Sequence, residues 1–171
     1  MADDPRIRLA VREDAAALAQ IYNVYVEETV VSFELEAVPV AEMAARIEAV
    51  RAADLPWLVA TRPGDKACDE MVGYAYATPW ASRPAYRRTV EVSAYVRRGD
   101  GGRGIGSRLY RALLADLRRR GMHAALGGIA LPNAASVALH EALGFEKVAH
   151  LREVGFKHGH WVDVGYWQLI F

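Results

Sequence analysis

Apolar and polar positions along the N-terminal half alternate between two periods, and each change of period marks a new element. In RIRLAV, Ile7, Leu9 and Val11 share one face, as in a half-buried strand. Asp14 then offers an N-cap to a helix whose apolar stripe runs through Leu18, Ile21, Tyr22 and Tyr25. A second helix follows Pro39, with Val40, Met43, Ile47 and Val50 at helical spacing, and ends near Asp54 and Pro56. WLVAT, the turn RPGDK and MVGYAYAT together predict a hairpin. After a loop holding Pro79 and Pro84, TVEVSAYVR alternates again. Val90, Val92, Ala94 and Val96 lie on one side, and Glu91, Ser93 and Tyr95 on the other.

From Ile105 the period turns helical, with Leu109, Ala112, Leu113 and Leu117 on one face. The helix ends in RRRG, where arginines meet the negative end of its dipole and Gly121 stops it. HAALGGIA then predicts a strand, NAASVALHEAL a helix stopped by Gly144, and WVDVGYWQLIF a last strand. No repeat or low-complexity linker interrupts the chain, so residues 1–171, 53% hydrophobic, form one domain. Strands and helices in this order predict an α/β (α+β) fold around a mixed sheet.

Charge adds little at the level of the whole chain. Lys+Arg and Asp+Glu both number 21, which gives no general attraction to nucleic acid or to acidic membranes. No run approaches the roughly 18 apolar residues of a membrane span, and MADDPRIRLA lacks the apolar centre of a secretion signal. A soluble, cytoplasmic protein is expected. The single Cys68, within GDKACDE, can make no internal disulfide and reads as a loop thiol.

Candidate chemistry begins at VRRGDGGRGIGSRLY, where five glycines and four arginines open a helix. Glycine costs about 1 kcal/mol per helical position relative to alanine, so this concentration needs a reason. A strand, a glycine-rich turn and a helix start present unpaired N–H groups and partial positive charge, which suits phosphate. Gly101 and Gly106 have the outer spacing of a P-loop, but Ser107 stands where that motif needs lysine. Gly99, Gly101 and Gly104 match the dinucleotide fingerprint, yet no acidic residue follows in MHAALGGIALP to hold a ribose. A nicotinamide oxidoreductase is the alternative that this second match keeps open.

RGIG after VEVSAYV, followed by Asn133, Ser136, His140 and the pair Gly144–Phe145, resembles the GNAT N-acetyltransferases. TVEVSAYV, LPNAASVALHEALGF, GFKHGHWVDVGYWQL and IYNVYVEETVVSFE are similar to the phosphinothricin and methionine sulfoximine N-acetyltransferase branch. The resemblance implies a twisted mixed sheet of about seven strands flanked by about four helices. It also implies acetyl-CoA as co-substrate, a small amino-acid acceptor and a homodimer. The cofactor would lie along Ala94, Tyr95 and Val96, with its pyrophosphate on Gly101, Gly102, Arg103, Gly104, Ile105, Gly106 and Ser107. The family usually places Gln or Arg three residues before Gly104. Here that slot is Gly101, which leaves Gly102 and Arg103 to share the electrostatic work.

Acetyl transfer needs a neutral amine, a polarised carbonyl and a proton for the leaving thiolate. The resemblance puts the base at Glu91, acting directly or through water, although the strand pattern alone would place it on a solvated face. It puts His140 where many relatives carry a tyrosine that protonates the thiolate; histidine gives or takes a proton near neutrality. A satisfied helical histidine is the plainer alternative. Asn133 and Ser136 read as contacts to the pantetheine or phosphate, or simply as helix caps. A main-chain N–H between Val92 and Val96 would polarise the carbonyl, and Gly127 and Gly128 suit a splay between this strand and the next.

The loop WASRPAYRRT offers cations and aromatic walls for an acidic amino acid. The branch favours Arg83 and Tyr86, with Phe33 as a wall and Lys157 as a further cation. His158 and His160 form an H-x-H pair but no third ligand accompanies them, so no metal is expected. The ending WVDVGYWQLIF carries more aromatic area than an edge strand exposes and is expected to be covered by a second copy, the alternative being that it lies inside the monomer's own sheet. A peptide N-terminus as acceptor, or a non-catalytic acyl-CoA-binding module, are the other readings.

Overall fold

A computed structural model of the chain describes residues 4–64 and 69–171. Cys68 and the tip of the RPGDK turn lie outside the described residues. Strands β1 (Arg6–Leu9), β2 (Trp57–Pro63), β3 (Asp69–Pro79), β4 (Thr89–Val96), β5 (Ala124–Leu131), β6 (Glu146–Lys157) and β7 (His160–Ile170) form one sheet. Their order is β1-β2-β3-β4-β5-β7-β6. Helices α1 (Ala15–Glu28), α2 (Val40–Ala52), α3 (Ile105–Arg119) and α4 (Ala134–Ala142) accompany it. Neighbouring strands run antiparallel except β4 and β5, which are parallel. The mixed α/β architecture expected from the alternating elements is therefore the one observed.

Alternation along β3 builds two layers. Tyr74 and Tyr76 share a face with Tyr95 of β4, whose ring meets Tyr22 and Tyr25 of α1 at centroid distances of 5.0 and 5.3 Å. On the opposite face, a Cβ added to Gly73 would lie 3.3 Å from the side chains of Ile105 and Leu109, so α3 rests directly on the sheet. Leu109, Leu113 and Leu117 are fully buried there, each such burial stabilising by about 1.5–3 kcal/mol.

Four readings of the chain are corrected. Asp14 does not cap α1: its carboxylate turns back to Arg8 at 2.7 and 2.8 Å and accepts from the Val11 N–H at 2.8 Å, closing the 3-10 turn Arg12–Asp14. Leu9 and Val11 are exposed, because β1 is an edge strand that ends at Leu9. β6 had no apolar alternation to announce it, being an edge strand with both faces largely open and two register shifts against β7. β7 is no edge strand; it lies between β5 and β6 and buries Val162 and Trp167 within the monomer.

Candidate active site

The sheet forks at its centre. β4 pairs with β5 only at Thr89, Val90 and Glu91, although both strands continue for several residues. Beyond Glu91 no strand pairs with the β5-facing edge of Val92–Val96 among the described residues, leaving main-chain groups free for a ligand. A cleft of about 630 Å³ fills the fork. Ala94, Tyr95 and Val96 line one wall, and Asn133, Ser136 and His140 of the α4 segment line the other.

Its outer end is the glycine loop. Gly101, Gly102, Gly104, Ile105, Gly106 and Ser107 all line the cleft. Gly99, Gly102 and Gly104 have φ of +90, +76 and +78°, a conformation that only glycine adopts cheaply. Gly104 is the N-cap of α3, so the N–H groups of Ile105, Gly106 and Ser107 have no carbonyl one turn earlier to bond. Nothing lies within 4 Å of a Cβ built at Gly101, Gly102 or Gly104, so this backbone is bare toward the cleft. The loop is held from beneath by Asp100, only 3% exposed, which bonds Arg62 and Arg97 at 2.7 Å each.

Arg103 departs from expectation. Its guanidinium lies 3.4 Å from Asp100 over a separate recess shared with Pro5, Arg62, Val72 and Ile105. The carboxylate draws the side chain away, and Arg103 belongs to the loop through its main chain.

Glu91 stands at the inner end, at the last paired position of the fork. A Cβ on Gly128 would sit 3.2 Å from its Oε1 and 3.1 Å from the Tyr166 ring, so Gly128 makes room for both. Burial pushes the Glu91 carboxyl above the usual carboxylate range, which makes it a stronger base. Tyr166 is itself covered by Trp80, ring centroids 5.5 Å apart and nearly perpendicular. His140 is 3% exposed, its Nδ1 held 2.8 Å from the Ser136 carbonyl and its Nε2 3.1 Å from the Tyr110 hydroxyl. Burial pushes the imidazole pKa down, against the upward pull of that carbonyl. Asn133 caps α4, its Oδ1 accepting from the Ser136 N–H at 3.1 Å.

The residues expected around the acceptor are dispersed. Phe33 lies on Gly155 of β6, where an added Cβ would come within 2.4 Å of its ring. Arg83 and Tyr86 sit exposed at the 3-10 turn Pro84–Tyr86, outside the cleft lining. Lys157 is no free cation: it is buried, and its ammonium donates to the Val26 and Ser32 carbonyls at 2.6 Å each. It thereby ties β6 to the α1–α2 connection that carries Phe33. Among the described residues no cluster of three or more His, Cys, Asp or Glu side chains stands ready to hold a metal. Tyr110 and Tyr166 were not foreseen: Tyr110 hides in the apolar stripe of α3, and Tyr166 alternates like any strand residue.

A forked sheet with a bare, positive helix start at one end and a raised carboxylate at the other defines a site for group transfer from a long phosphorylated donor. The chain belongs to the GNAT acetyltransferases: residues 7–165 match the family described as an acetyltransferase (GNAT) domain. It is 42% identical to a phosphinothricin N-acetyltransferase of Streptomyces viridochromogenes, over 96% of this chain and 87% of that protein. It is 37% identical to an L-methionine sulfoximine/L-methionine sulfone acetyltransferase of Salmonella typhimurium, over 95% of this chain and 92% of that one. A solved acetyltransferase structure from Salmonella typhimurium, with its cofactor acetyl-CoA, matches with a TM-score of 0.91 at 36% identity, covering 98% of this chain and 94% of that chain. Among the described residues no helix is long and apolar enough to cross a membrane.

Proposed function

We propose that this chain transfers the acetyl group of acetyl-CoA to the α-amino group of a small amino-acid analogue of the phosphinothricin, methionine sulfoximine or methionine sulfone kind. The observation that carries the reading is the position of Glu91, a desolvated carboxylate at the point where the strands part. The cleft suits acetyl-CoA on its own terms: Ile105, Gly106 and Ser107, whose N–H groups begin α3 unpaired, line it, and no atom crowds the neighbouring Gly101, Gly102 and Gly104. Bound there, acetyl-CoA supplies the activated acyl group.

The protein's part follows from its residues. Gly101, Gly102 and Gly104 through Ser107 hold the pyrophosphate, with the main chain of Arg103, while the free edge of Val92–Val96, including Ala94 and Tyr95, pairs with the pantetheine arm. Asn133 and Ser136 close the far wall. Glu91 takes the proton of the incoming ammonium, directly or through one water, because an α-amino acid arrives mostly protonated. An N–H of the free β4 edge polarises the carbonyl. None of Arg83, Tyr86, Trp80 and Phe33 lines the cleft; in this reading they meet the acceptor outside it, Arg83 at the carboxylate and the rings along the carbon chain. A screen of small amino acids, their sulfoximine, sulfone and phosphinic analogues, and peptide N-termini, read by release of free thiol, tests this. Turnover of peptides alone, or of no acceptor, overturns it.

We also propose a homodimer and a cytoplasmic location. Val154, Phe156 and Trp161 on the β6–β7 hairpin are each more than half exposed, more apolar area than an edge hairpin leaves in water. Phe33 borders the same strand. A cytoplasmic location fits an enzyme that uses acetyl-CoA.

A further inference from the structure

Both nitrogens of His140 are already engaged. Nδ1 faces the Ser136 carbonyl at 2.8 Å, and a carbonyl only accepts, so Nδ1 carries a proton. Nε2 faces the Tyr110 hydroxyl at 3.1 Å. A Cβ on Gly127 would fall 2.3 Å from Nε2, so the β5 backbone closes the remaining approach. An imidazole nitrogen makes one in-plane hydrogen bond, and the ring is almost wholly buried. The Ser136 hydroxyl, 3.5 Å from Nδ1, competes only for the proton that the Ser136 carbonyl already holds at 2.8 Å, so the Nε2 proton has one route toward the cleft, the oxygen of Tyr110.

Tyr110 is built to pass it on. It projects from α3 with its hydroxyl 3.4 Å from the Val92 carbonyl, the first residue beyond the fork, and it lines the cleft beside Ser93 and His140. Its oxygen can accept a proton from Nε2 while giving its own to a third group.

We propose that Tyr110 is a catalytic residue of this transferase: its hydroxyl protonates the departing sulfur, and His140 acts through it as the proton source. The inference rests on the reading that the cleft holds acetyl-CoA. As the amine nitrogen bonds to the carbonyl carbon, the C–S bond breaks and its electron pair takes the Tyr110 proton. The relay starts from the imidazolium form of His140, which burial disfavours, so it draws on that fraction of the enzyme. The tyrosine oxygen takes its Nε2 proton, and His140 ends as neutral imidazole with Nδ1–H still on the Ser136 carbonyl. Glu91 holds the proton lost by the amine. An incoming ammonium first gives its extra proton through Glu91 to water. Water then removes the second proton from Glu91, and one returns to His140 by the same path, through the Tyr110 oxygen. Beyond the released ammonium proton, the net change is one proton moved from nitrogen to sulfur. No tyrosinate forms, which matters because burial raises the Tyr110 hydroxyl far above its ordinary range.

The titratable neighbours of the pair are few. Glu91 of β4 and Tyr76 of β3 act on Tyr110 through their charge. Phe145, Gly127 and Ser136 pack on His140 and bring none.

The test compares Tyr110→Phe, His140→Gln and the double variant. Groups acting in series predict that each single change lowers kcat by about 100-fold, that the double costs no more than either single, and that the Kd for CoA is unmoved. An unchanged kcat for Tyr110→Phe, or penalties that multiply in the double variant, overturns the relay. A second readout needs no acceptor: the pKa of the bound CoA thiol, followed by thiolate absorbance against a desulfo-CoA control. A donor on sulfur lowers that pKa, and both single variants are expected to raise it equally toward the value of free CoA. If Tyr110→Phe leaves it unchanged, the relay is wrong. A lowered thiol pKa in a protein that acetylates nothing overturns the acceptor reading and leaves the relay standing. Should Tyr110→Phe not fold, the proton inventory of the unmodified enzyme decides: curved for two protons in flight, linear if the relay is absent.

Discussion

Glu91 and Gly128 face each other across the point where β4 and β5 part, with Oε1 of the glutamate 3.2 Å from the place a Cβ on the glycine would occupy. The carboxylate is thus partly desolvated, one residue before the cleft-lining Val92, and burial raises its pKa. A base with a raised pKa is active above that value and is lost as pH falls through it. The acid limb of kcat/KM is expected above the ordinary glutamate value of about 4.3. Glu91→Gln removes that limb and lowers kcat by about 100-fold or more, with the Kd for CoA unchanged by calorimetry. An equally active variant would remove Glu91 from the mechanism.

Gly128→Ala tests the same contact from the other strand. The new methyl comes within 3.1 Å of the Tyr166 ring, which Trp80 covers, and 3.2 Å of the Glu91 carboxylate, so one of the two must shift. The backbone at Gly128 has no positive φ, so alanine strains nothing there. A fall in kcat of about 10-fold is expected from a misplaced base, with the melting temperature little changed. A large loss of melting temperature would mean that the glycine serves packing instead.

Gly101→Arg runs in the favourable direction. Gly101 has ordinary φ and nothing within 4 Å of its Cβ site, so a long side chain enters without strain. Arg103 points away toward Asp100, which leaves the loop short of side-chain charge. One added cation beside a diphosphate contributes about 1 kcal/mol, so KM for acetyl-CoA falls about fivefold, and the gain shrinks in high salt.

Trp161→Glu addresses the exposed hairpin. Trp161 is 59% exposed and packs on Phe156, with ring centroids 5.0 Å apart, so a charge there has no fold to disturb. Sedimentation of the unmodified protein at micromolar concentration is expected to give a dimer, and the variant a folded monomer. A monomer in both cases would leave this apolar strip without a second copy.

What could be read along the chain depended on whether a residue answers to its own element or to a distant one. Leu109, Leu113 and Leu117 sit on the dry side of one helix, and their spacing states as much. The glycine loop is equally local, because positive φ and a helix start act over a few neighbours. β6 gave no period, since an edge strand wet on both faces has none to show. Tyr110 reads as one more core position of α3, and its partner His140 comes from α4, 30 residues away. Lys157 looked like a free cation for a similar reason: the carbonyls that occupy it are 131 and 125 residues upstream.

That distance makes Lys157 the decisive case between a tether and a substrate contact. Lys157→Met keeps most of the volume and removes the donor from two buried carbonyls, at a cost of about 1–3 kcal/mol. The melting temperature therefore falls. Because Ser32 adjoins both Phe33 and the cleft-lining Val31, loosening this connection also raises KM for the acceptor by a few fold and weakens CoA by a smaller factor. A side chain that gripped the acceptor directly would behave in the opposite way, with a large rise in acceptor KM and no loss of melting temperature. Thermal unfolding and acceptor kinetics on the same preparation separate the two.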